Sequence, residues 1–119
     1  NGLMTKTHGL INLKFGGKSR PFKFGWHFLK LFSEAFGIEL GSLSGAFTHL
    51  TGNQLITFIK IALDEGQRVT GGEDTFTIEQ VADWLDEAGA GFFHILMEKS
   101  QAALATLSDS NSGASEPKN

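Results

Sequence analysis

Between residues 11 and 24 apolar and polar positions alternate: Ile11, Leu13 and Phe15 are separated by Asn12 and Lys14, and Phe22 and Phe24 flank Lys23. A period of two marks a strand with one buried face. Two such runs around Gly16 and Gly17 predict a β-hairpin whose loop takes positive φ at the glycines. Pro21 suits an edge strand, where a missing N–H costs no ladder bond. The hairpin is expected to show one apolar face and one cationic face.

Beyond residue 25 the period lengthens to that of a helix. Apolar residues at 26, 28, 29, 32, 35 and 36 form a broad stripe that Gly37 can close as a C-cap. The stretch 41–52 is rich in glycine and serine but keeps Leu43, Phe47 and Leu50 at helical spacing, which predicts a short helix capped by Ser42. Asn53 then reads as the N-cap of a central helix over 54–65, with Leu55, Ile56, Phe58, Ile59, Ala62 and Leu63 as its stripe and Gly66 as its stop. A loop over 67–75 follows, centred on Gly71 and Gly72.

Thr77 with Gln80 fits a capping box, and Phe76 with Val81 fits a hydrophobic staple, so a helix is expected to begin at Thr77. It runs to about Ala88 with Ile78, Val81, Ala82, Trp84, Leu85 and Ala88 inward and Glu79, Asp83, Asp86 and Glu87 toward water. Gly89 and Gly91 break it before a last helix over 92–107. From Ser108 the composition turns to small and polar residues that bury too little apolar surface to offset their ordering entropy, which predicts a mobile tail.

These elements define an α+β chain, mainly α-helical, with an N-terminal hairpin packed on about four to five helices. One domain is expected over 4–107 and a flexible tail over 108–119; Asn1 to Leu3 precede Met4, the apparent natural start, and are expected to be a cloning remnant outside the fold. The 119 residues suffice for a single core. With 11 phenylalanines and no tyrosine, that core, or a dry interface, should be built from rings without polar handles.

Composition narrows the chemistry. No cysteine is present, which removes disulfides, thiolate metal sites and cysteine nucleophiles. No apolar run reaches membrane-spanning length and no secretory leader pattern opens the chain, so a cytoplasmic protein with no membrane partner is expected. The net charge of −3 argues against general polyanion binding. It still leaves a local basic patch at Lys14, Lys18, Arg20, Lys23 and Lys30.

No cofactor, metal or catalytic constellation emerges. Gly17, Lys18 and Ser19 imitate the end of a phosphate loop, but its first glycine would fall on Asn12 and Pro21 blocks the helix that should follow. His8, His27, His49 and His94 lack a second ligand at metal-site spacing. Asp83, Asp86 and Glu87 put carboxylates on one helical face, an arrangement that ordinary solvation explains. No nucleophile elbow accompanies the serines. An enzyme is therefore not expected. Nucleic-acid binding would need the hairpin aromatics to stack bases beside the lysines, whereas the alternation points the rings into the core.

The order of elements, with "FKFGWHFLKLF" after a short hairpin, then "LITFIKIAL", then "FTIEQVADWLDE" before a last helix, resembles the small tail assembly chaperones of long-tailed (siphovirus-type) bacteriophages over residues 8–107. The resemblance implies a non-enzymatic protein of the host cytoplasm that binds the helical tape measure protein, keeps it soluble, helps recruit tail tube subunits and is absent from the finished virion. It also implies contact with the tail tube protein through a frameshifted extension; the codons of Lys118 and Asn119 permit a slippery A-AAA-AAC if that of Pro117 ends in A.

A groove for an amphipathic helix would be lined by large apolar side chains, for which Trp84, Phe92, Phe93, Leu96 and Met97 around the Gly89–Gly91 break are the candidates. Self-association is expected at the hairpin, through strand pairing at its edge or through the basic face of Lys14, Lys18, Arg20 and Lys23. The alternatives are a structural virion subunit (tail or head-tail connector) and a small nucleic-acid-binding or regulatory domain using that basic face.

Overall fold

The computed structural model describes residues 8–39 and 50–115. Its elements are β1 (Leu10–Phe15), β2 (Lys18–Lys23), α1 (Trp26–Phe36), α2 (Gly52–Thr70) and α3 (Ile78–Ser115), the last interrupted at Gly89. Among the described residues an antiparallel hairpin thus precedes three helices, where four to five were expected along the chain. The last two expected helices are limbs of α3, and the short helix expected over 41–52 falls mainly on 40–49, outside the described residues, as do residues 1–3 and Lys118 and Asn119. Helical backbone continues through Ser115, into the stretch where composition suggests a tail.

The hairpin forms as its glycines require. Gly16 and Gly17 both take positive φ, 67° and 89°, which a two-residue turn needs to match the twist of its strands. The register pairs Phe15 with Lys18, Leu13 with Arg20 and Ile11 with Phe22. The Phe24 N–H donates to Gly9 O at 2.9 Å, so hydrogen-bonded pairs fall at every second step and Pro21 occupies a site whose nitrogen points away from β1. Proline costs nothing there.

Helix α1 buries Phe28, Leu29 and Phe32 and ends at Gly37, whose left-handed φ of 64° lets its N–H reach Ser33 O. Trp26, part of the expected stripe, is instead 51% exposed.

Helix α2 departs from the sequence reading at both ends. Its N-cap is Thr51, not Asn53: the Gln54 N–H donates to Thr51 Oγ1 at 3.1 Å while the Thr51 N–H donates to Gln54 Oε1 at 3.0 Å. Thr51 with Gln54 satisfies two donors reciprocally, and that outweighs a single Asx cap. Nor does Gly66 end the helix, which continues to Thr70 and closes on Gly71 at φ 79°. Gly66 is buried, and a Cβ there would sit 2.1 Å from Pro21 O. Its missing side chain lets α2 cross the outer edge of β2, covering the carbonyl that β1 does not use.

The next boundary follows the sequence. The Gln80 N–H donates to Thr77 Oγ1 at 3.0 Å, and Phe76 and Val81 are both buried. Gly89, at φ 76° and ψ −172°, breaks α3 alone, because Gly91 stays helical.

The core lies where the hairpin meets the helices. Phe15 stacks on Phe92 at 4.6 Å and meets Trp84 edge-on at 5.6 Å, joining the hairpin to α3. Phe24 and Phe28 meet Phe58 at 5.5 and 5.1 Å, joining the strand exit, α1 and α2. Offset and edge-to-face rings of this kind add to area burial through their quadrupoles.

Candidate functional site

The basic residues of the hairpin do not make one face. A two-residue loop sets Lys14 opposite Ser19 and Lys18 opposite Phe15, so Lys18 and Arg20 share the side of Phe15 and Phe22, while Lys14 and Lys23 lie on the other. Two of the four are also buried: Arg20 and Lys23 are 7% and 8% exposed. The period of two within β2 itself sets Lys18 and Arg20 on the side of Phe22, so only Lys14 and Lys23 lie on the face expected to be cationic.

Each buried cation has a structural task. Arg20 donates from Nε to Phe15 O and from Nη2 to Gly16 O at 2.9 Å, capping the turn carbonyls. Its guanidinium carbon lies 4.3 Å from the Trp84 ring centroid, and Nη1 is 3.5 Å from Asp74 Oδ2. Trp84 in turn rests on Gly16, where a Cβ would fall 2.5 Å from the indole. Turn, loop and α3 are thereby clamped together, and a cation over a desolvated indole strengthens the clamp.

Lys23 donates from Nζ to His8 O. Burial holds its pKa below the ordinary lysine value, with the nearby Arg68 charge acting the same way and Glu65 opposing both.

Among the described residues, Glu65 is the remaining buried charge. Arg68 reaches it two-pronged, with Nη2 2.7 Å from Oε1 and Nε 3.1 Å from Oε2, and His27 Nδ1 lies 2.8 Å from Oε2. Burial pushes the carboxyl upward in pKa, but hydrogen bonds and charge from Arg68 and His27 together hold it below the ordinary value. Both carboxylate oxygens are thus engaged, which suits a strut between α1 and α2. Among the described residues no group of three or more His, Asp or Glu side chains is placed to hold a metal ion.

What remains open is apolar. Of the five groove candidates, Phe92 and Leu96 are core residues at 8% and 0% exposure, and half-buried Trp84 is committed to the hairpin turn. Phe93 is 37% exposed and Met97, one turn later, is half-buried. Ile95, on the other flank of the buried Phe92–Leu96 stripe, is 46% exposed. Phe93 and Met97 thus form one exposed apolar flank of the limb after Gly89 and Ile95 a second on the opposite side of the stripe, with His94 and Glu98 exposed on the outer face between them.

Sequence reasoning passed over Ile95 because it sits outside the main helical stripe. Its signal is the apolar run Phe92, Phe93, Ile95, Leu96 and Met97, which is wider than a single buried face requires.

No family model, curated protein or solved structure matches the chain. Among the described residues, no helix is long and apolar enough to cross a membrane.

Proposed function

We infer that the chain is a non-enzymatic phage tail assembly chaperone that binds the tape measure protein in the host cytoplasm, keeps it soluble and helps recruit tail tube subunits. The observation that carries this reading is the pair of exposed apolar flanks on the last limb of α3, Phe93 with Met97 on one side and Ile95 on the other, in a chain whose segments resemble those chaperones. A long amphipathic partner supplies the complementary stripe, with anchors at helical spacing. Gly89 sets the angle between the two limbs and so shapes the surface offered.

The nucleic-acid reading has less to rest on. With Arg20 and Lys23 buried, Lys14 and Lys18 are the exposed cations of the hairpin, and Lys18 lies 3.5 Å from Asp74. The virion-subunit reading is separated by composition of particles. Mass spectrometry of infected-cell lysate and of purified particles should find the chain in the first and not in the second; stoichiometric recovery from particles would replace the chaperone with a structural subunit.

A further inference from the structure

The two edges of the hairpin are treated differently. On β2 the outward carbonyl of Pro21 is covered by Gly66 of α2, and proline itself has no N–H to offer. On β1 the outward main-chain groups belong to Leu10, Asn12 and Lys14, the partners of Lys23, Pro21 and Ser19 at the non-bonded steps of the ladder. Among the described residues no further strand pairs with β1, and Asn12 and Lys14 are exposed. An uncovered edge of this kind is a template for another strand.

We propose that β1 is a self-association edge, taking β1 of a second copy of this chain in antiparallel register about a two-fold axis at Asn12. The register follows from the residues. Only with Asn12 opposite the second copy's Asn12 do all the outward groups find outward partners, Leu10 facing Lys14 and Lys14 facing Leu10, each pair exchanging both main-chain bonds.

Shifting the centre by one residue either way leaves Leu10 or Lys14 unpaired. The same register places Ile11 opposite Leu13 on the core side, extending the apolar face across the junction. It also keeps the two Lys14 ammonium groups apart, so the charge that would guard a bare edge does not oppose this pairing. The result is a continuous sheet in the order β2, β1, β1, β2, closed at both outer edges by α2. Nothing in this inference depends on the chaperone reading, and its failure would leave that reading standing.

The test uses the two-fold itself. Asn12 is exposed and its N–H takes no part in the intrachain ladder, so Asn12→Lys and Asn12→Asp should leave each chain folded, which far-ultraviolet circular dichroism checks. Analytical ultracentrifugation of the wild type should show a concentration-dependent dimer. Each single variant, with like charges facing across the axis, should dimerise roughly fivefold more weakly at low salt. An equimolar mixture should recover a dimer that native mass spectrometry identifies as one chain of each kind. A wild type that is monomeric at every concentration, single variants that dimerise unchanged, or a mixture with no preference for the mixed pair would each overturn the proposal.

Discussion

Replacing Gly66 by alanine tests how α2 is seated. Helix propensity alone favours Gly66→Ala by about 1 kcal/mol, because alanine loses less backbone entropy in a helix interior. The packing opposes it. The new Cβ would lie 2.1 Å from Pro21 O and 2.6 Å from Pro21 C, where ordinary contact begins at 3.4 Å. Both neighbours are main-chain atoms of a paired strand, so no side chain can rotate away. Relief requires α2 to lift off β2, loosening Phe58 and Leu63 in the core.

Overpacking of this kind costs typically about 1 to 3 kcal/mol, and a clash against fixed backbone belongs at or above the top of that range. A net loss of about 2 kcal/mol is expected; with a guanidinium slope of about 4 kcal/mol per M, the unfolding midpoint falls by roughly 0.5 M. Gly91→Ala is the internal control, since nothing lies within 4 Å of its Cβ and its φ is not positive. That variant should gain about 0.5 kcal/mol. If Gly66→Ala unfolded at or above the wild-type midpoint, α2 could not cross β2 as described and Gly66 would be the helix stop its sequence context suggests.

Three further outcomes follow from the charges and the open surface. Arg20→Met should cost about 2 kcal/mol in the same denaturation assay, because the turn carbonyls of Phe15 and Gly16 lose a charged donor in a buried setting. Glu65 has a folded pKa below its unfolded value, so its contribution is complete above the unfolded carboxylate value of about 4.3 and fades as pH falls through the folded one. Stability measured from pH 7 down to pH 3 should therefore fall less steeply in Glu65→Gln than in the wild type, and equal slopes would show that the carboxyl is not held by Arg68 and His27. Phe93→Asp and Ile95→Asp should change stability by no more than about 0.5 kcal/mol, while Leu96→Ala should cost about 2 to 5 kcal/mol.

The elements that sequence made legible are those with one local cause. Gly16 and Gly17 between alternating runs permit little but a tight hairpin, Gly37 ends a stripe that has just completed its turns, and Phe76 with Val81 brackets Thr77 and Gln80. Gly66 was illegible because a glycine that ends a helix and one that admits a neighbouring backbone look alike; Pro21, far away in sequence, decides between them. Arg20 and Phe22, two residues apart, share a side by the same alternation that aligns the rings; what local pattern does not show is that Phe15 O, Gly16 O and Trp84 are there to receive a buried guanidinium. In the candidate surface, Phe92 and Phe93 are equal as residues, and only the placement of Phe15 shows which is core and which is free.

The measurement closest to the central claim is co-expression of this chain with the longest coiled-coil protein encoded immediately downstream, followed by size exclusion, with the Phe93→Asp, Ile95→Asp double variant in parallel. The account predicts that the wild type keeps the partner soluble and co-elutes with it as a many-to-one complex, and that the folded double variant does neither. A partner equally soluble alone and eluting apart from the wild type would contradict the chaperone function, and undiminished co-elution of the double variant would move the binding surface away from the last limb of α3.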